Sequence, residues 1–136
     1  MKENKFGNRN MYFPDLSDID VSNITDMSKL FNKILPYYEK PIKLDLSEWN
    51  ISNVENMECM FMNSHTLEEL NVSGWDVSNV KNMSGMFINC NAIKTLDLSS
   101  WYATSNVNNM ESMFYGCISL VNLDLSNFDT SNLKNI

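Results

Sequence analysis

The feature that most constrains this chain is a tripeptide, Ser-Asn followed by Ile, Val or Leu, that returns at nearly constant spacing. It stands at Ser22-Asn23-Ile24, Ser52-Asn53-Val54, Ser78-Asn79-Val80, Ser105-Asn106-Val107 and Ser131-Asn132-Leu133, at intervals of 30, 26, 27 and 26 residues. Four residues after each Asn come Met27, Met57, Met83, Met110 and finally Ile136, and Leu30-Phe31, Met60-Phe61, Met86-Phe87 and Met113-Phe114 follow at a constant offset. Upstream, LDLS begins at Leu44, Leu96 and Leu123, with PDLS at Pro14 and NVS after Leu70 in the same register. The 136 residues are one unit written about four and a half times. A unit this short cannot bury its own apolar face, so copies must stack and bury one another's.

Residues 67–93 give the unit most cleanly. Leu70 and Val72 alternate with Glu69, Asn71 and Ser73, which predicts a short strand. Val80, Met83, Met86, Phe87 and Cys90 then fall at i, i+3, i+6, i+7 and i+10, which predicts one stripe of a short helix, with Ser78 or Asn79 as N-cap. The expected fold class is therefore an α/β solenoid: a short right-handed, leucine-rich-repeat-like coil with a parallel β-sheet on one face and short helices on the other. Composition agrees with frequent side-chain-made turns, because 21 Asn and 16 Ser accompany only 4 Gly and 3 Pro. The ten Met suit an irregular core, since an unbranched thioether fills gaps between imperfectly identical coils.

The string LNVSGWDVSNVKNMSGMFINCNAIKTLDLSSW resembles the repeat of the BspA-type leucine-rich-repeat surface proteins, a 26-residue bacterial surface-protein repeat. The opening LSDIDVSNITDMSKLF is similar to the first, capping repeat of such arrays, and the likeness runs from about Phe13 to Ile136. The resemblance implies a repeat fold and an adhesion or protein-binding role, and it brings no catalytic residues. The expected organisation is an N-terminal extension over 1–12 and one repeat domain over 13–136, with an insertion near 32–43 and an incomplete last repeat. MKENKFGNRN lacks the apolar core of a signal peptide, which points to the cytoplasm; the resemblance points to the cell surface if the chain is a fragment.

A net charge of −7 is the wrong sign for tracking phosphates, and no apolar run approaches the 18 or so residues of a membrane span. Neither nucleic acid nor membrane insertion is expected. No phosphate loop, repeated acid/base pair or CxxC occurs, so the expectation is no enzyme, no cofactor and no metal. His65 falls alone in a return loop, and Cys90 and Cys117 share an offset as stacked thiols with Cys59 apart. The expected partner is a protein, with possible self-association through the uncapped last turn. The strand face is the expected contact surface, through Asp45, Asn71, Asp97 and Asp124 with Ser47, Ser73 and Ser99. Tyr37 and Tyr38, between two prolines of the insertion, are a second candidate anchor. The Asp20, Asn50, Asp76 and Asp129 file is expected to tie the amides of its own loops.

Overall fold

The computed structural model describes residues 14–32 and 39–135. The sheet is smaller than the repeat pattern predicts. It consists of β1 (Ile42–Asp45) and β2 (Leu67–Asn71), paired in parallel with Leu44 opposite Leu70 and Asp45 opposite Asn71. The LDLS segments at Leu96 and Leu123 form no named strand; there Thr95 and Asn122 make a single parallel bridge. The expected α/β solenoid, with a sheet along one face and helices along the other, is thus corrected: among the described residues there is no helix, and the sheet is open and two-stranded.

The reason lies in how the Met-Phe stretch distributes its amides. Met60, Met62 and Ser64 donate three residues back, to Met57, Cys59 and Phe61. The intervening amides of Met57, Cys59, Phe61 and Asn63 instead donate to Asn82, Ser84, Met86 and Ile88 in the next coil, at 2.8–2.9 Å. An α-helix uses every interior amide within itself, so a backbone that gives every second one to a neighbour cannot be helical. Two left-handed residues per coil make the alternation possible. Lys29, Cys59, Gly85 and Ser112 have φ of 58, 53, 61 and 55°, and Asn63, Asn89 and Gly116 have φ of 63, 56 and 76° four residues later. Spacings of three and four therefore arise here from successive tight turns that happen to mimic a helical stripe.

Side chains join the coils in the same register. Phe31, Phe61, Phe87 and Phe114 form a file of near-parallel rings, with successive centroids 5.2, 5.6 and 5.7 Å apart. Trp75, Trp101 and Phe128 form a second file, spaced 5.9 and 6.5 Å. Each indole also reaches back one coil: Trp49, Trp75 and Trp101 donate to the carbonyls of Leu16, Leu46 and Val72. The recurrent Asn is explained here too. Asn53, Asn79, Asn106 and Asn132 donate their side-chain amides to the carbonyls of Ser22, Ser52, Ser78 and Ser105, at 2.6–2.8 Å, so the Asn joins coil to coil rather than capping a helix. Val54, Val80, Met57, Met83, Met86 and Phe87 are completely buried in the core these contacts enclose.

Candidate functional site

The polar ladder of the expected strand face is made of Asx turns. Asp15, Asp45, Asn71, Asp97 and Asp124 each accept from the amide of the Ser two residues on, at 2.9–3.2 Å. The hydroxyls of Ser47, Ser73 and Ser99 donate to the same oxygens, at 2.6–2.7 Å. Asp45 and Asn71 are buried and bonded to each other, the Asn71 amide donating to Asp45 at 3.0 Å. Asp97 and Asp124 are exposed. The four are thus stacked at one offset but split in accessibility. Tyr37 and Tyr38 lie outside the described residues, as does the N-terminal extension.

The second file does what its spacing predicts. Asp20, Asn50, Asp76 and Asp129 accept from the amides of Ser22, Ser52, Ser78 and Ser131. Tyr102 replaces the acceptor in the fourth copy and stands 72% exposed beside a hollow of about 390 Å³ lined by Gly74, Trp75, Asp76 and Ala103. The extra residue of that loop is accommodated by Thr104, a buried residue whose hydroxyl accepts from the Asp129 amide at 2.7 Å.

These turns hold several carboxylates below the usual range. The hydroxyl and then the amide of the following Ser do this at Asp20, Asp26, Asp76, Asp124 and Asp129; at Asp15 the Ser17 amide leads. The unfolded chain, with ordinary carboxylates, binds more protons in acid than the folded one. Stability is then complete above about pH 4 and drains away as the pH falls through the lowered folded values. Thermal unfolding followed by circular dichroism at a series of pH values should show the midpoint flat near neutrality and falling steadily on acidification; a midpoint unchanged at pH 2.5, roughly, would contradict this.

Cys59, Cys90 and Cys117 are free thiols. Cys90 and Cys117 donate back one repeat to the carbonyls of Phe61 and Phe87, at 3.2 and 3.1 Å, whereas Ser64, at the same offset one repeat earlier, donates its hydroxyl at 2.6 Å to Phe61 in its own turn. Burial, then the neighbouring Cys117, pushes the Cys90 thiol up to about 12. Alkylation at pH 8 should therefore label Cys90 only as fast as the chain unfolds, at least ~100-fold slower than in denaturant; mass spectrometry of timed digests measures it. His65 is exposed, with Nδ1 3.1 Å from the Asn91 side-chain amide. Among the described residues no three His, Cys, Asp or Glu side chains converge as metal ligands, and no helix is long and apolar enough to cross a membrane.

The surface that the sequence reading did not single out by residue is the last coil. Tyr115, Ile118, Val121 and Leu123 are 70, 82, 75 and 36% exposed. Tyr115 lines an open hollow of about 540 Å³ together with Met110, Phe114, Leu125, Phe128 and Leu133. At the same offsets one coil earlier, Phe87, Leu96, Leu98 and Trp101 are buried. A signal for part of this surface was present: Ile118 and Val121 stand where the two preceding coils have His65 and Asn91, and Glu68 and Lys94.

Backbone hydrogen bonds thus join successive repeats at the repeat offset among the described residues. The family model DUF285, described as a Mycoplasma protein of unknown function, matches residues 1–101 and again residues 37–136, and the chain is a member of that family. No curated protein and no solved structure matches it.

Proposed function

We propose that the chain is a non-catalytic module that binds another protein, in keeping with its resemblance to BspA-type surface repeats and an adhesion-type role. The observation that carries this reading is the apolar last coil, where Tyr115, Ile118, Val121 and Leu123 lie open to solvent and Tyr115 lines a hollow large enough for several side chains. Exposed apolar residues grouped in this way mark interaction surfaces, whereas scattered ones mark nothing. The carboxylates of the Asx ladder supply a polar flank, with Asp97 and Asp124 accessible beside the apolar patch. A structural repeat segment or self-assembling subunit of a larger surface protein is the second reading, favoured by the same open end.

The test has two stages. Proteins captured from cell extract by the chain are purified and titrated against it by calorimetry. At least one should bind, and Tyr115→Lys with Leu123→Lys should weaken it at least ~10-fold, or about 1.4 kcal/mol. Asp97→Lys should weaken binding less. If no purified protein, a second copy of the chain included, binds at about millimolar concentration, the reading is wrong.

A further inference from the structure

We propose that the last coil receives the first coil of a second copy, so that the chain associates head to tail; this deepens the interaction reading above and rests on it. The two ends of the stack are complementary in hydrogen bonding. In the inner coils the amides of Gly85, Phe87 and Asn89 donate forward to the carbonyls of Glu111, Met113 and Tyr115, at 2.8–2.9 Å. The equivalent amides of the last coil, on Ser112, Phe114 and Gly116, donate to nothing among the described residues. At the other end, the equivalent carbonyls of Ser28, Leu30 and Asn32 accept nothing among the described residues. One row offers three donors two residues apart, and the other offers three acceptors with the same spacing. A further rung has the opposite sense: Lys134 donates to Asn108, whereas its own carbonyl and the Thr25 amide at the same offset make no backbone bond among the described residues.

The apolar exposure has the same two-ended distribution. Ile19, Ile24 and Leu30, in the first coil, are 51, 37 and 37% exposed. They stand at the offsets of Trp75, Val80 and Met86, which are buried in the middle of the stack. Among the described residues, apart from Tyr102 in its irregular loop, the large exposed apolar residues thus fall in the first coil or the last. Apposing the ends in the repeat's own register places Ile24 and Leu30 of the incoming copy over Leu133, Met113 and the hollow beside Phe114. That contact uses different surfaces on the two partners, so it does not close on itself and extends into a linear series. Two like-charge neighbours oppose it, Asp124 beside the incoming Asp15 and Asp129 beside the incoming Asp20, on copies that each carry a net charge of −7. Association therefore strengthens with added salt.

Sedimentation velocity on the 136-residue chain tests the proposal. The parent chain should pass from monomer to a series of larger species as its concentration rises from about 10 μM to about 1 mM, further at about 0.5 M salt than at about 0.05 M. Two variants each remove one end: Ile24→Lys with Leu30→Lys, and Tyr115→Lys with Leu133→Lys. Each alone should stay monomeric, and an equimolar mixture should give a dimer and nothing larger, since each retains one competent end. Tyr115→Lys alone, at a position already exposed, should weaken association about 10-fold without touching the core. Near-ultraviolet circular dichroism of the buried Trp residues confirms that the variants are folded. A parent chain monomeric at about 1 mM overturns the proposal, as does a first-coil variant that still dimerises alone, which would mean tail-to-tail pairing. Either result leaves the interaction reading standing if a captured protein still binds, so the two failures are separable.

Discussion

Replacing Phe87 by Ala should cost about 3–5 kcal/mol, a large share of the stability of a domain this size. Phe87 is completely buried and lies between Phe61 and Phe114, with centroids 5.6 and 5.7 Å away and rings within 7° of parallel. Truncation removes the transfer energy of the ring, the two stacking contacts and the filling of a site whose walls are backbone-bonded to both neighbours. Those walls resist collapse, because the Phe61, Phe87 and Asn89 amides already hold the three coils at a fixed spacing. Phe114→Ala provides the comparison: its ring has one stacking partner and is half-buried, so the loss should be only about 1–2 kcal/mol. Urea unfolding monitored by Trp fluorescence measures both, and equal losses would contradict the role assigned to the ring file.

The second large effect is expected at Trp75, which combines packing with a hydrogen bond. Trp75→Ala should cost about 3–5 kcal/mol through the cavity it leaves. Trp75→Phe keeps an aromatic ring against Trp101 but removes the indole donor, so the Leu46 carbonyl loses its 2.8 Å partner while keeping the Trp49 amide at 3.0 Å. That lost bond should cost about 0.5–1.5 kcal/mol. Phe128 already stands at this offset in the last coil, where it stacks on Trp101 at the longer centroid distance of 6.5 Å and is only half-buried. The reverse exchange, Phe128→Trp, is expected to gain at most ~1 kcal/mol, because the end of the stack leaves the ring partly in water. Thermal denaturation of the three variants ranks them, and Trp75→Phe as damaging as Trp75→Ala would show that the bond, not the packing, dominates.

Much of the candidate surface was only half legible. The Asx turns could be read from Asp or Asn followed two residues later by Ser, since that pairing works within a few residues and needs no neighbour. Whether a rung of that ladder faces water could not be read, because it depends on the coil beside it: Asp45 and Asn71 sit in the paired strands and bond to each other, while Asp97 and Asp124 do not. The last turn was expected to be open, but its exposed residues could not be named, because Leu123, Phe128 and Leu133 carry the same inward pattern as their buried counterparts. Period alone does not tell a residue whether another coil covers it.

The amino-acid sequence by itself determined the unit, its 26-residue length, the inward phase of Met, Phe and Trp, and the short-range Asp-Ser and Asn-Ser turns. These are properties of single residues and their immediate neighbours. Tertiary structure decided whether the Met-Phe stretch would be a helix, because an amide gains about the same from a carbonyl three or four residues back as from one in the next coil. Side-chain spacing records which residues are buried, and both backbones bury the same ones. Stacking settled the choice: once Cys59, Phe61 and Asn63 had donated across to Ser84, Met86 and Ile88, no helical ladder remained to be made. The same forward-pointing amides, at Ser112, Phe114 and Gly116, give the last coil its open edge.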